Sequence, residues 1–231
     1  DVRAQIRPTF PHIASRLRQL SSLVIHGHIE YGSLVHGVDL TTLPPTITNL
    51  ELQFWNAYPH LFRNPFEVNH HFVEALDLKS LFPQLKTLVY PPNLTQSHDI
   101  ISSLPPTIQS VVAYIPLDKP MPTFSPSVQR LVLVPPPIQL PKPPTFLFPP
   151  HLTYLESFGT ILTPLVSLEN LLPNLVTLKF RLSVDDGALE TANFPPFLEV
   201  LELAFEGNFA SYNVTSSVIA LLPRGLRELI F

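Results

Sequence analysis

A short phrase recurs along the chain: a bulky apolar residue, one or two prolines, and then the pattern L-x-x-L-x-L. It appears as LPPTITNLEL over 43–52 and as LPRGLRELIF over 222–231, and eight of nine copies carry the apolar–proline lead-in. Self-similarity at such spacing is the signature of repeat architectures, whose units bury their apolar sides against one another. The first L-x-x-L position falls at Leu20, Ile47, Leu85, Ile108, Val128, Leu152, Leu175, Leu198 and Leu226.

Each copy of the phrase predicts one short strand. Alternation in L-x-L places both leucines on one face of a strand and the intervening residues on the other. Proline fixes φ and cannot donate to a ladder, so it is expected at strand entry and on the segment that returns to the next strand. With 28 prolines, many return segments should be extended or 3₁₀-helical. Helices are predicted in the longer units, over 66–81, 97–103, 164–172, 186–193 and 211–221.

Residues 17–231 resemble the leucine-rich repeat family. The family's line L-x-x-L-x-L-x-x-N, whose buried Asn bonds backbone groups of adjacent turns, is complete once, as LKTLVYPPN ending at Asn93. The proline lead-in is similar to repeats of certain bacterial effectors and to FNIP-type repeats of amoeboid protists. The resemblance implies an α/β solenoid, a horseshoe with one curved parallel β-sheet. Its convex side would consist of extended or 3₁₀ segments and short helices.

The domain organisation follows from the repeats. A leucine-rich-repeat domain of about nine repeats is expected over 17–231, with residues 1–16 as an N-terminal cap or stub. The last residue given, Phe231, completes a repeat, whereas a solenoid normally needs a polar terminal cap. We therefore expect either that the natural protein continues or that a partner covers this end.

Composition narrows the classes of function. The chain is 45% hydrophobic with a net charge of −4, which argues against disorder, and its 14 Lys+Arg are too thinly spread for a nucleic-acid interface. No apolar run reaches the roughly 18 residues of a membrane-spanning helix. The absence of Cys excludes thiolate chemistry and favours a reducing compartment. With no recognisable signal peptide, we expect a cytoplasmic protein with neither nucleic-acid nor membrane partners.

The residues between the leucines predict the exposed, concave face of the sheet. They form ladders across strands about 4.8 Å apart, with an apolar strip beside a zone of alternating charge. Such a patch is typical of an interaction site, although β-propensity or cover by another part of the parent protein would also explain it. The predicted partner-binding residues are Val89, Val112, Tyr114, Arg130, Val132, Val134, Tyr154, Glu156, Phe158, Lys179, Arg181 and Glu202.

The same register makes a burial prediction. Leu50, Leu88, Val111, Leu131, Leu155, Leu178 and Leu201 should be buried, and Glu51, Val112, Val132, Glu156, Lys179 and Glu202 should line the exposed face. If the two sets alternate wrongly, the register is off by one residue.

Two constellations could carry chemistry. His26 and His28 share one face of a strand, but no ligand spacing typical of a metal site accompanies them. Glu156 and Glu202 lie two strands apart, roughly 9–10 Å, which is near the carboxylate separation of inverting glycosidases. Lys179 lies between them and is expected to pair with both, so a charge ladder is the simpler explanation. We expect no cofactor and no metal.

These features predict a non-enzymatic module that binds a protein partner on its concave face. By resemblance, such domains serve as recognition arms of larger proteins, including ubiquitin-ligase receptors and signalling adaptors. One alternative is a structural subunit or recognition arm permanently packed within a larger protein or assembly. The other is a carbohydrate-active enzyme that uses Glu156 and Glu202.

Overall fold

The computed structural model describes residues 18–29, 43–56, 77–90, 97–114, 123–134, 147–157, 168–183, 193–206 and 216–230. These residues form one sheet of nine strands, each parallel to the strands before and after it in the sequence. A sheet that grows by one strand per repeat in chain order is a solenoid, which confirms that part of the prediction. The strands are β1 (Ser22–Ile29), β2 (Asn49–Asn56), β3 (Thr87–Val89), β4 (Ser110–Tyr114), β5 (Arg130–Val134), β6 (Tyr154–Ser157), β7 (Thr177–Ser183), β8 (Val200–Glu206) and β9 (Glu228–Ile230).

Neighbouring strands pair in the register that the repeats predict. Val112 of β4 lies opposite Val132 of β5, which in turn lies opposite Glu156 of β6. The ladder continues through Lys179 of β7 to Glu202 of β8. A slip of one residue would turn every side chain of a strand to the opposite face, so this agreement determines which residues face the core.

The core lies on one side of the sheet and runs from repeat to repeat. The first L-x-x-L position is at most 1% exposed in every repeat from Ile47 to Leu198. Burying an aliphatic side chain of this size contributes about 1.5–3 kcal/mol, and here the burial is supplied by the adjacent repeats. The residues predicted to be buried are also 0–1% exposed: Leu50, Leu88, Val111, Leu131, Leu155, Leu178 and Leu201.

A tight turn with a described hydrogen bond leads into each strand from β2 to β9 and explains the prolines found there. In each turn the N–H of the fourth residue donates to the carbonyl of the first, as from Ile108 to Pro105 at 3.1 Å and from Leu198 to Pro195 at 3.2 Å. The second turn position favours proline, because the ring presets the φ required there. Proline occupies it in seven of the eight turns: Pro45, Pro83, Pro106, Pro126, Pro150, Pro173 and Pro196.

Backbone hydrogen bonds join successive repeats at the edge where the strands begin. The carbonyl just before a strand accepts two N–H groups from the next repeat. Thr48, for example, accepts from Lys86 at 2.7 Å and from Thr87 at 3.0 Å. The same pair of bonds is made at every step of the sheet. The acceptors are Ser21, Thr48, Lys86, Gln109, Gln129, Thr153, Val176 and Glu199.

Side chains at the third turn position add a second connection between repeats. The hydroxyl of Thr107 donates to the carbonyl of Leu85 at 2.9 Å, and that of Ser127 donates to Ile108 at 2.7 Å. Asn174 makes the corresponding bond from its amide to the carbonyl of Pro150 at 2.9 Å. These bonds satisfy carbonyls of the preceding turn that strand pairing does not reach.

Within the described ranges, four short helices lie in the return segments. Their positions fall inside four of the five predicted windows, although each is shorter than its window; residues 186–192 of the fifth lie outside the described ranges. The longest described helices have six residues, and none in the described ranges is long and apolar enough to cross a bilayer. They are α1 (Leu78–Leu81), α2 (Ser97–Ser102), α3 (Leu168–Leu171) and α4 (Ser216–Leu221).

Candidate functional site

The side of the sheet that points away from the core, called the open face here, carries the residues that separate the buried leucines. Strand alternation turns them outwards because side chains point to opposite faces at successive positions. Most of the predicted exposed set is confirmed as partly exposed, namely Glu51, Val112, Glu156, Lys179 and Glu202; Val89, in the partner-binding set, is partly exposed as well.

Val132 corrects the prediction. It points to the open face as expected, yet only 4% of it is exposed, and it is not part of the core cluster. It lies on a central strand between Val112 and Glu156. The long side chains of Arg130 and Tyr154 occupy the preceding positions of the same face. Val132 therefore adds almost no exposed apolar surface between Val112 and Glu156.

Arg130 and Tyr154 are direct cross-strand partners of β5 and β6. The guanidinium carbon of Arg130 lies 4.6 Å from the centroid of the Tyr154 ring. A cation at this distance from an aromatic ring is attracted by about 0.5–2 kcal/mol, depending on its exposure to water. The contact holds both side chains in one arrangement.

The hydroxyl of Tyr154 extends this arrangement to Glu156, two residues further along β6. Its Oη donates to Oε2 of Glu156 at 2.5 Å. Burial raises the pKa of the Tyr154 hydroxyl, and the hydrogen bond to Glu156 raises it further. The hydroxyl therefore remains a proton donor at neutral pH. Arg130, Tyr154 and Glu156 together are called the Tyr154 cluster below.

Lys179 and Glu202 form an ion pair beside this cluster. Nζ of Lys179 lies 2.7 Å from Oε2 of Glu202, and both side chains are about one-third exposed, at 33% and 36%. The hydrogen bond to Glu202 is the main cause that raises the pKa of Lys179. Pairing of Lys179 with both carboxylates was expected, but Glu156 accepts its hydrogen bond from Tyr154 instead. An exposed pair of this kind contributes about 0.2–1 kcal/mol.

The side chains of four predicted site residues are not described by the structure. Tyr114 and Val134 are opposite each other at the ends of β4 and β5, and Arg181 lies on β7 opposite Ala204, as the alignment predicts. Only the backbone of these three is described, and Phe158 lies outside the described residues.

The histidines and carboxylates considered for chemistry are placed as follows. Within the described ranges no group of three or more His, Asp or Glu side chains could hold a metal ion. His26 and His28 lie on β1, where only the backbone is described. Glu156 and Glu202 are both engaged, one by Tyr154 and the other by Lys179.

The sequence alignment placed Arg130 beside Tyr154 but did not identify the Tyr154 cluster. The sequence did contain a signal for this cluster: a cation and an aromatic residue are aligned on neighbouring strands, and a carboxylate follows two positions later on the same face.

Comparison of the chain with protein-family models, with curated proteins and with solved structures found no match.

Proposed function

We propose that the chain is a non-enzymatic interaction module of the leucine-rich-repeat type, which binds a protein partner on the open face of its sheet. The open face corresponds in this proposal to the concave face of a horseshoe. The Tyr154 cluster is the observation that carries the proposal. It combines an arginine and a tyrosine, two residue types enriched at binding hot spots.

Preorganisation supports this function. Arg130 and Tyr154 hold each other by the ring contact, and Glu156 accepts the tyrosine hydroxyl. All three lie on a sheet whose strands are hydrogen-bonded at every step. A partner would therefore pay little conformational entropy to order these side chains. Val112 on the adjoining β4 and Val89 on β3, one strand further, add partly exposed apolar surface.

The repeat type supports the choice of a binding module. One strand per repeat, leucines facing a shared core and a turn before each strand are features that the family resemblance implies. Recognition arms of larger proteins are built in this way. The contacts of Glu156 with Tyr154 and of Glu202 with Lys179 give both carboxylates a role in cross-strand pairing, which favours the binding module over the carbohydrate-active enzyme.

The test is affinity capture from the source cell, followed by affinity measurement with the purified partner. Tyr154→Ala and Arg130→Glu should each weaken binding at least about tenfold, because they remove the ring or reverse the charge at the centre of the face. Arg224→Glu, in an exposed turn, is the matched control and should retain wild-type affinity.

Thermal melts of all four proteins establish that each variant is folded. The proposal fails if Tyr154→Ala and Arg130→Glu bind every captured partner as tightly as the wild type. Val132 is not a suitable target, because its burial would confound binding with stability.

A further inference from the structure

A groove of about 890 Å³ follows the edge where the strands begin, outside the open face. One wall consists of residues that directly precede strands, among them Gln129, Val176 and Glu199. The other wall consists of turn residues, among them Asn174 and Phe197. Such a volume lies within the ~300–1,000 Å³ of small-molecule sites. The groove passes five strands at about 4.8 Å each, which gives it an elongated shape.

Third turn residues line one side of the groove, and two of them differ from those of the earlier turns. At Thr107 and Ser127 the third turn residue folds back onto the preceding repeat. In two later repeats the same position holds Phe197 and Gly225. The ring of Phe197 is 64% exposed, and Gly225 has no side chain to fill the space beside it. An aromatic surface therefore lies open to a ligand.

The charges in the groove point to a neutral ligand. Glu199 and Arg227 lie in the same groove with an N–O distance of 3.6 Å, so their charges largely cancel. Gln129 and Asn174 contribute amides, each of which carries donor and acceptor atoms. Apart from His151, no other ionisable side chain is among the described lining residues, so the acidic and basic side chains of the groove are one of each.

Backbone carbonyls at this edge of the sheet already accept hydrogen bonds from within the protein. The carbonyls of Gln129, Val176 and Glu199 each accept two N–H groups from the following repeat. An extended peptide, which pairs its own N–H groups with backbone acceptors, would find few partners here. A ligand must bind through side chains, with hydroxyls that can both donate and accept and with an apolar face for the aromatic ring.

We propose that this turn-edge groove binds a neutral oligosaccharide. A sugar ring presents an apolar C–H face, which would lie on Phe197, and a rim of hydroxyls, which would bond to Gln129, Asn174 and Glu199. The elongated groove suits several linked rings. The site lies on a different surface from the open face and does not depend on the function proposed there.

The test is a titration of the purified chain with five neutral tetrasaccharides: cellotetraose, maltotetraose, laminaritetraose, mannotetraose and chitotetraose. Calorimetry and saturation-transfer NMR should detect binding of at least one. Phe197→Ala should weaken it about tenfold, since the stacking surface is lost. Gly225→Thr should also weaken it, because the new side chain fills the groove while the protein stays folded.

Lys86→Ala, at the exposed position before β3 and outside the groove lining, is the control and should leave sugar binding within about twofold. The proposal is overturned if no tetrasaccharide binds at about 10 mM, a concentration that would detect even millimolar affinity. It is equally overturned if Phe197→Ala binds like the wild type. Binding of a proline-rich peptide by a chain that ignores the sugars would assign the groove to peptide recognition instead.

Discussion

The third residue of each turn decides how tightly two repeats are joined. Thr107 uses its hydroxyl to reach the carbonyls of Pro83 and Leu85 in the preceding repeat, at 3.0 and 2.9 Å. In the leucine-rich repeats that the sequence resembles, a buried Asn bonds the backbone of adjacent turns, and this chain has that line complete only once, at Asn93, outside the described residues. Short polar side chains at the turn perform a comparable connection here.

Gly225 is a turn position where this connection is missing and can be restored. A Cβ at Gly225 would lie 3.9 Å from the carbonyl oxygen of Leu198 and 4.0 Å from that of Pro196, which correspond to the two acceptors of Thr107. Gly225→Thr should raise the free energy of unfolding by about 0.5–1.5 kcal/mol, the value of one added hydrogen bond. Urea unfolding measures this. Gly225→Val has the same shape without the hydroxyl; if it stabilises equally, the hydrogen bond is not the cause.

Tyr90 is a buried residue whose hydroxyl costs stability. It is 3% exposed, and its Oη has no hydrogen-bond partner in the described structure. Tyr90→Phe should raise the free energy of unfolding at pH 7 by up to about 1–3 kcal/mol, because the desolvation penalty is removed. Tyr154→Phe is the comparison, since its hydroxyl is bonded to Glu156, and it should destabilise. An equal loss in both variants would contradict this account.

Three raised pKa values predict that the protein loses stability at alkaline pH. The pKa values of Tyr90, Tyr154 and Lys179 are all raised in the folded protein. The folded state therefore holds more protons than the unfolded state once the pH passes the unfolded values of about 10. The contribution of these three groups to the unfolding free energy should be constant below that pH and fall above it. Urea titrations at pH 8 and pH 11 test this, and Tyr90→Phe should show the smaller fall.

At the scale of the element, the strands show why alternation alone does not determine exposure. Val112 and Val132 occupy equivalent positions of β4 and β5. One is partly exposed and the other is 4% exposed. The sequence identifies the face of each side chain, because the repeat fixes the register. It does not identify how far a neighbour's long side chain extends over it.

The two valines can be compared directly. Val132→Thr should lower the free energy of unfolding by about 1–3 kcal/mol, because a hydroxyl enters a site without water. Val112→Thr has the same change of shape at a wetter position and should cost less than about 0.5 kcal/mol. Urea unfolding of both variants provides the measurement. Equal costs would show that Val132 is reached by solvent.

The turn before β9 offers a second test of an element. Arg224 occupies its second position, where the turns before β2 to β8 have proline. Arg224→Pro should stabilise the chain by about 0.4–1 kcal/mol, since it restricts the unfolded state at a compatible site. Gly225→Pro, one residue later, should destabilise, because proline is disfavoured at the third position of such a turn. Thermal melts that rank the two variants in the opposite order would contradict the role given to proline.

At the scale of the whole molecule, each repeat is stabilised by the repeats next to it in the chain. Each strand pairs with the strands adjacent to it in sequence, and the core is continuous along the repeats. The fold could be predicted because a single phrase, repeated, defines strand, register and core side at once. The groove could not, because the phrase leaves the third turn position unspecified, and Phe197 and Gly225 occupy it in the last two repeats. The Tyr154 cluster required the actual side-chain geometry.

A cavity in a central repeat should therefore destabilise mainly the repeats next to it. Leu131 is fully buried on β5, and Leu131→Ala should lower the free energy of unfolding by about 2–5 kcal/mol. In a solenoid this loss is felt first by adjacent repeats. Amide hydrogen exchange should accelerate in β4, β5 and β6 more than in β8. Uniform acceleration along the sheet would show instead that the molecule opens as a single unit.

The paired N–H bonds at the start of the strands have a direction. Each carbonyl acceptor belongs to one repeat, and both donors belong to the repeat that follows it in the chain. During synthesis on the ribosome, a newly emerged repeat therefore meets acceptors on a repeat that was made before it. No described strand from β2 onwards has to wait for a distant, later part of the chain to find its first partner. Each repeat can therefore fold onto the repeat translated before it, and the solenoid can form in the order of its synthesis.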